Sequence, residues 1–272
     1  RAMRIPFRKM HGLGNDFVVI DARETPVAMT TRRAAALADR RTGIGCDQLI
    51  VLEPSDVANV RMRIFNNDGS EVEACGNASR AVGLLLGGTQ SIETLGGLIR
   101  SEAGDDGVSV DMGLPRFGWQ EIPLSYAMDT LELPLGWEEL ETPVGVNVGN
   151  PHAVFFVPDA EAVDVAGLGP KVEHDPLFPA RTNVEFASIL GPDHLRMRVW
   201  ERGTGITLAC GSGACATAVA AHLRGLTGRR VVMDVDGGRL ELDWREDGVW
   251  MTGPVAHVFD AVLTPAFLAA VA

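Results

Sequence analysis

Two cysteines, each followed by a glycine, are the residues of this sequence best suited to chemistry. Cys75 and Cys210 stand just before runs that are apolar on nearly every side, 78–86 and 213–224, and such runs predict buried helices. Free backbone N–H groups at a helix start favour negative charge. We therefore expect both thiols to have a lowered pKa and to be partly ionised near neutral pH. The neighbouring backbone amides are expected to hold a carboxylate, and they belong to Gly76, Asn77, Gly211 and Ser212.

The two cysteines occupy equivalent places in an internal repeat. The stretch RMRIF at 61–65 recurs as RMRVW at 196–200, and the same offset of 135 residues carries Cys75 onto Cys210. Further along the chain the offset becomes 141, which one six-residue insertion explains. Agreement over several stretches indicates a duplicated domain. Other pairs on the first offset are Gly14-Asn15 with Gly149-Asn150, Gln48 with Asn183, and Asn66 with Glu201.

A duplication predicts a particular chemistry for paired thiols. Two copies packed about a pseudo-twofold axis would place Cys75 and Cys210 on opposite sides of one bound carbon. One thiolate could then remove a proton from that carbon while the opposing thiol delivers a proton to the other face. Backbone amides that stabilise the developing charge would make a cofactor unnecessary. The chain has no G-x-G-x-x-G between a strand and a helix, which disfavours hydride transfer.

The other two cysteines are expected to be inert. Cys46 and Cys215 have no counterpart in the repeat, and a lone cysteine most often behaves as a small apolar side chain. Cys210 and Cys215 are spaced C-x4-C, with no C-x2-C and no partnered histidine, so we expect no metal site. Four cysteines in 272 residues do not form a disulfide framework.

Amide and charged side chains around the repeat predict the rest of a binding site. Glu201 and Arg202 replace Asn66 and Asn67 of the first copy, which suggests recognition of a second charged group on one side of the site. His152, next to Asn150, is expected to support the site. The amides at strand ends or in glycine-rich turns are Asn15, Gln48, Asn66, Asn77, Asn150 and Asn183.

The elements that must position these residues follow the repeat. We predict two domains of mixed α/β class, 1–120 and 121–262, each a curved sheet around a central helix, with the site in the cleft between them and the tail 263–272 packed on the first. A further helix is predicted at 30–40, capped by Thr30 or Thr31. The predicted strands are 17–21, 48–53, 60–65, 108–112, 153–157, 184–189, 196–200, 230–235, 239–244 and 249–252.

Composition limits the partners of the chain. Its formal net charge is −12, which does not suit a polyanion, so we expect no nucleic-acid partner. No apolar run approaches the length of a membrane span. The N-terminal residues show no secretory signal, and the expected location is the cytoplasm.

Six stretches identify a resemblance to the diaminopimelate epimerases, which interconvert LL- and meso-diaminopimelate without pyridoxal phosphate in lysine and peptidoglycan synthesis. The resemblance implies two pseudo-symmetric domains, each a barrel-like, mostly antiparallel sheet around a buried helix, and a homodimer that closes on substrate. It implies Cys75 and Cys210 as the acid/base pair and the residues named above as the pocket. The stretches are KMHGLGNDFVVID (9–21), GIGCDQ (43–48), RIFNNDGSEVEACGNASR (63–80), GNPHAVFF (149–156), RTNVEF (181–186) and WERGTGITLACGSGACA (200–216).

The chain departs from the family pattern in two places, and three other functions compete with this one. Ala78-Ser79 replaces the usual Gly-Ala and Ile206 the usual Glu, which affects helix packing more than the cysteines. A proline racemase or hydroxyproline epimerase would not need the asymmetry of Glu201 and Arg202. A phenazine-type isomerase would lack the cysteine pair. A catalytically inactive binding protein would not need to keep both thiols.

Overall fold

The computed structural model describes residues 3–73 and 75–272, and these form two compact units. The first unit contains the chain up to Val110 together with 253–272, and the second contains 111–252. Residues 1 and 2, at the start of the first predicted domain, lie outside the described residues. None of the described helices is long and apolar enough to cross a membrane.

The elements of the first unit are mostly strands. In chain order they are β1 (Ile5–Gly12), β2 (Asn15–Asp21), α1 (Thr31–Ala38), β3 (Gln48–Glu53), β4 (Val60–Asn66), β5 (Glu71–Val72), α2 (Gly76–Leu86), β6 (Thr89–Thr94), β7 (Gly97–Gly104) and β8 (Gly107–Asp111).

The second unit repeats this order after a short hairpin. Its elements are β9 (Gly136–Trp137), β10 (Leu140–Glu141), β11 (Val144–Asn147), β12 (Pro151–Phe156), a 3-10 turn (Ala160–Ala162), α3 (Val165–Glu173), β13 (Asn183–Gly191), β14 (His194–Glu201), β15 (Gly205–Ile206), α4 (Gly211–Leu223), β16 (Arg230–Val235), β17 (Gly238–Arg245) and β18 (Gly248–Gly253). The chain then adds β19 (Ala256–Leu263) and α5 (Pro265–Ala270) to the first unit.

Strand pairing is the same in the two units. Strands β1 to β4 pair antiparallel, parallel and antiparallel in turn, and so do β11 to β14. The next neighbours, β6 and β16, are parallel to β4 and β14, and antiparallel pairs follow with β7 and β17. Mostly antiparallel sheets with the same two parallel pairs confirm the predicted fold class and the duplication.

In the strand register the repeat holds residue by residue. Phe17 lies opposite Gln48, and His152 lies opposite Asn183, which are the positions related by the offset of 135. Val60 lies opposite Ile92, and Leu195 lies opposite Met233, where the partner is displaced by 141. The six-residue insertion therefore falls between β14 and β16.

Each sheet wraps its own helix. Helix α4 contacts six strands of its unit, β11 to β14, β16 and β17, and its residues 213–221 are all buried. A helix can contact so many strands only if the sheet curves around it. In the first unit α2 contacts β1, β6 and β7, and its Ala78, Ala81 and Val82 share a core with Phe17 and Ile50.

The predicted elements are present with shifted ends, and several others were missed. Helices α2 and α4 begin at Gly76 and Gly211, two residues before the predicted starts, and α1 is capped by Thr30. The division of the chain also differs from 1–120 and 121–262. Strand β19 pairs with β1, and Leu268 of α5 packs in the core of the first unit. Missed elements are β1, β5, β6, β7, β9, β10, β11, β15, β19, α3 and α5.

A glycine in α3 sets how closely that helix approaches β14. A Cβ atom on Gly169 would lie 2.4 Å from Cγ of the Trp200 ring. Trp200 is held by a 3.1 Å hydrogen bond from its Nε1 to Glu173, and it precedes Glu201. Any larger residue at 169 must therefore move the end of β14.

We predict that Gly169→Ala lowers the free energy of unfolding by about 1–3 kcal/mol, a typical cost of overpacking. Overlap with the Trp200 ring outweighs the better helix propensity of alanine, about 1 kcal/mol. Urea denaturation would measure the change. Gly191→Ala is the matched control, because a Cβ there meets nothing within 4 Å. Equal midpoints for the two variants would contradict the prediction.

Candidate active site

Cys75 is the N-cap residue of α2, directly before its first helical residue. Its backbone is extended (φ −151°, ψ 120°), and its carbonyl oxygen accepts hydrogen bonds from the backbone N–H and the hydroxyl of Ser79, at 3.0 and 2.9 Å. The side chain is partly exposed, and its Sγ lies 3.8 Å from Asn15 Oδ1, to which the thiol donates. The thiol therefore sits at the open end of a buried helix, as predicted.

Asn15 connects this thiol to two further groups. Its Oδ1 also accepts from Asn77 Nδ2 at 3.3 Å, and its Nδ2 donates to Asp47 Oδ2 at 3.1 Å. The buried guanidinium of Arg80 donates to Asn77 Oδ1. The structure thus brings together three predicted site residues, Cys75, Asn15 and Asn77, and orients both amides.

An ionic network supports the loop that carries Asn15. Arg40 donates to Asp16 and Asp47, and Lys9 Nζ lies 2.7 Å from Asp16 Oδ2. Partial burial acts to raise the pKa of Asp16, but hydrogen bonds from Arg40 and Lys9 hold it well below its usual range. Asp16 is thus a fixed negative charge near neutral pH.

Gln48 and Asn66 form a second group in the first unit. They face each other across the β3–β4 pair, and Gln48 Nε2 donates to Asn66 Oδ1 at 3.3 Å. Among the described residues Gln48 Oε1 is buried without a hydrogen-bond partner. Their predicted roles in binding stay predictions.

Cys210 is likewise the N-cap residue of α4, and its side chain is more buried than that of Cys75. Its backbone is extended (φ −129°, ψ 109°), and Sγ accepts a 3.3 Å hydrogen bond from the backbone N–H of Gly213. Ser212 Oγ lies 3.5 Å from Sγ, and Asn150 Nδ2 donates to that hydroxyl at 3.2 Å. Three predicted residues, Cys210, Ser212 and Asn150, therefore meet at this helix start.

A buried histidine and a glutamate lie behind Asn150. His152 Nε2 is 2.7 Å from Asn150 Oδ1, and its Nδ1 is 2.6 Å from Glu185 Oε1. Both side chains are inaccessible to solvent. Sequence reasoning missed Glu185, although an acidic residue inside the apolar strand run VEFASI was a usable signal.

Asn183 and Arg202 meet at the end of β14. Asn183 Oδ1 accepts a 2.8 Å hydrogen bond from the backbone N–H of Arg202, and its Nδ2 donates to the Pro151 carbonyl at 2.9 Å. The exposed Arg202 guanidinium donates to the Ala180 carbonyl at 3.1 Å. Glu201 is half-buried and acts electrostatically on Cys210.

The expected lowering of the thiol pKa is wrong for Cys210. Burial raises the pKa of this thiol well above 9.0, and Glu201 and Glu185 raise it further when they are ionised, whereas the Ser212 hydrogen bond acts in the opposite direction. The favourable field of the helix start is therefore outweighed by desolvation, by Glu201, which is a predicted pocket residue, and by Glu185, which was not predicted to lie near Cys210.

The remaining cysteines lie away from solvent. Burial raises the pKa of Cys46 to about 12, and Cys215 lies inside α4 with no exposed surface. Among the described residues none of the four cysteines forms a disulfide bond. Within residues 3–73 and 75–272 no group of three or more His, Cys, Asp and Glu side chains could hold a metal ion.

Comparison with known proteins gives one family. The model of the diaminopimelate epimerase family matches residues 7–118 and 144–258. A diaminopimelate epimerase of Erythrobacter litoralis is 61% identical over 259 residues, covering 94% of this chain and 96% of the relative. One of Rhizorhabdus wittichii is 60% identical, covering 95% of each chain.

Solved structures share the fold at much lower identity. A phenazine biosynthesis protein of Bacillus anthracis has a TM-score of 0.68 and 15% identity, covering 96% of this chain and 99% of that one. A hydroxyproline epimerase of Agrobacterium vitis with bound trans-4-hydroxy-L-proline has a TM-score of 0.65 and 14% identity, covering 96% and 92%. These likenesses show the fold alone.

We predict that the rate at which iodoacetamide alkylates Cys210 in the substrate-free protein still rises with pH at 9.0, the ordinary thiol value. Burial and the nearby carboxyl groups keep the thiol protonated, and only the thiolate reacts. Peptide mapping by mass spectrometry measures the rate, with the inaccessible Cys46 as the unlabelled control. A rate that reaches its plateau below pH 9.0 would contradict the prediction.

Proposed function

Because the chain belongs to the diaminopimelate epimerase family, we propose that it interconverts LL- and meso-diaminopimelate in lysine and peptidoglycan precursor biosynthesis. Identities of 60 and 61% over nearly the whole chain support the substrate. The observation that supports this chemistry is that Cys75 and Cys210 are the N-cap residues of two buried helices, at equivalent positions of a duplicated unit.

The proposed reaction is a proton exchange at one α-carbon, in a cleft between the two halves. The thiolate of one cysteine takes the α-proton, and the C–H electron pair remains on the substrate as a carbanion. The thiol of the other cysteine then gives its proton to the opposite face, which inverts the centre. In the reverse direction Cys75 and Cys210 exchange roles, so no cofactor is required.

Backbone amides supply the stabilisation that this carbanion needs. The first N–H groups of an α-helix have no partner within the helix, and at α2 and α4 they belong to Gly76, Asn77, Gly211 and Ser212. We place the α-carboxylate at these amides, where charge that develops during proton removal is favoured.

Cys210 enters this reaction as the thiol. Its raised pKa leaves it protonated in the substrate-free protein at neutral pH. The more exposed Cys75 is then the proposed base for the first proton transfer. After one turnover Cys75 carries the proton taken from the substrate, and Cys210 has lost the proton it gave to the product, so one thiol and one thiolate are present before and after the reaction.

The remaining polar residues are proposed to bind the rest of diaminopimelate. We assign Glu201 and Arg202 to the distal ammonium and carboxylate, because this pair has no charged counterpart in the first copy. His152 is assigned a supporting role through its hydrogen bond to Asn150. The other proposed binding residues are Asn15, Gln48, Asn66, Asn150 and Asn183.

We propose that the chain forms a homodimer, as the resemblance to the family implies, and that it acts in the cytoplasm. Strand β19 supports a protein contact because Val258, Phe259 and Val262 expose 56, 46 and 51% of their surfaces. Four cysteines that form no disulfide among the described residues suit a reducing compartment. A solution mass of 29.0 kDa, that of one chain, would contradict the dimer.

We predict that Cys75→Ala and Cys210→Ala each abolish epimerisation, because either change removes one of the two proton-transfer groups. The native protein, turning over LL-diaminopimelate in heavy water, should place one deuterium at the α-carbon of the product. Chiral chromatography coupled to mass spectrometry measures both effects.

Cys46→Ala and Cys215→Ala are the matched controls, since both thiols are buried away from solvent, and each should retain turnover. Full activity in either variant of Cys75 or Cys210 would refute the two-base mechanism. Product without deuterium would refute exchange with a solvent-equilibrated thiol.

We predict that Arg202→Ala reduces kcat/KM for diaminopimelate at least about tenfold, the loss of one charge-assisted hydrogen bond. Epimerisation of an amino acid without a distal head should change far less. The exposed Arg245→Ala, on β17, is a control that should leave both rates unchanged. Equal losses with the two substrates would exclude Arg202 from recognition of the distal head.

A further inference from the structure

A continuous line of hydrogen bonds joins the buried Glu185 to the sulfur of Cys210. Glu185 Oε1 contacts His152 Nδ1 at 2.6 Å, and His152 Nε2 contacts Asn150 Oδ1 at 2.7 Å. Asn150 Nδ2 reaches Ser212 Oγ at 3.2 Å, and Ser212 Oγ lies 3.5 Å from Cys210 Sγ. Glu185 therefore connects to a cysteine with which it forms no hydrogen bond of its own.

The Asn150 amide gives this line a direction. Its NH2 group donates to Ser212, so its carbonyl oxygen faces His152. An oxygen acceptor there requires a proton on His152 Nε2. Ser212 Oγ accepts from Asn150 through one lone pair, so its own proton is free to donate to Cys210 Sγ, 3.5 Å away, once that sulfur is a thiolate and can only accept.

The surroundings of Glu185 favour a neutral carboxyl group. The side chain has no exposed surface, and its Oε2 has no hydrogen-bond partner among the residues described. An ionised carboxylate with one unpaired oxygen in such a place is costly. Burial raises the pKa of Glu185. A neutral carboxyl group donates its own proton from Oε1 to His152 Nδ1.

The first copy lacks this pair. At the positions related by the offset of 135, Phe17 stands for His152 and Ile50 for Glu185, and both pack in the apolar core of the first unit. The polar pair is thus an addition to one copy, placed behind one of the two thiols.

We infer that Glu185 is a positioning residue for Cys210: its protonated carboxyl group holds His152 with the proton on Nε2, and Asn150 passes this orientation to the Ser212 hydroxyl, which donates to the Cys210 sulfur. The inference rests on the proposed acid/base role of Cys210. It adds to that role a built-in hydrogen-bond donor for the thiolate that forms when Cys210 gives up its proton.

Three titratable groups face Cys210 from the strands around it. Glu201 on β14 and Glu185 on β13 both oppose a thiolate, and His152 lies on β12. A proton on Glu185 removes one of the two opposing charges. The backbone N–H of Gly213 donates to Sγ as well. A Cβ on Gly213 would lie 2.7 Å from Glu185 Oε1 and 3.2 Å from Cys210 Sγ, so carboxyl and sulfur adjoin the same helical turn.

The test compares Glu185→Gln with Glu185→Met by iodoacetamide labelling across pH, reading Cys210 and Cys75 in one sample by mass spectrometry. Glutamine can donate to His152 Nδ1 as the neutral carboxyl group does, whereas methionine fills similar volume and donates nothing. We expect Cys210 in Glu185→Met to react about tenfold more slowly, a shift of one pH unit. In Glu185→Gln the rate should stay within about threefold of the native rate, with Cys75 unchanged in both.

If Cys210 in a folded Glu185→Met variant is labelled at the rate of the native protein, the inference is overturned. An equal loss in Glu185→Gln, which would indicate a need for charge, also overturns it. If the methionine variant does not fold, ¹⁵N NMR of histidine-labelled native protein decides: a proton on Nε2 of His152 is expected, and a bare Nε2 overturns the inference. These readouts need no turnover. A protein that meets them but does not epimerise diaminopimelate would refute the proposed function alone.

Discussion

The placement of a cysteine as the last extended residue before a buried helix is the constraint on which the rest of this structure depends. The first N–H groups of the helix lie beside the thiol without a partner inside the helix, and burial of the helix body holds them in place. Glycine and alanine dominate the buried part of α4, which lets the sheet close tightly around it. The curved sheets thus serve to hold two helix starts in place.

The two copies achieve this placement with different chemistry around the thiol. In the first copy Asn15 is oriented by Asp47 and Asn77, next to the ionic network of Asp16 and Arg40. In the second copy the equivalent Asn150 is oriented by a buried histidine and carboxyl group. A duplicated scaffold has therefore kept its geometry while the electrostatic setting of each sulfur diverged.

Much of this was open to prediction because local signals and the repeat agreed. The offset of 135 correctly paired Gln48 with Asn183, which occupy equivalent places in the register of the two sheets, since a register in a duplicated sheet repeats with the sequence. The helix starts followed from the apolar runs after each Cys-Gly. Strand β19 escaped prediction because its pairing with β1 joins opposite ends of the chain. The direction of the shift in the Cys210 pKa was not predicted, because Glu185 and Glu201 come close to this thiol only when the chain folds.

In the proposed reaction two thiols act on one carbon from opposite faces. A crystal structure of Cys75→Ser with meso-diaminopimelate bound tests it most directly, because the substrate is held while proton transfer is impaired. We expect Cys210 Sγ and the hydroxyl oxygen introduced at position 75 to lie on opposite faces of the α-carbon. Each of these atoms should be about 3.5 Å from that carbon. Two groups on the same face, or one of them remote from the α-carbon, would contradict it.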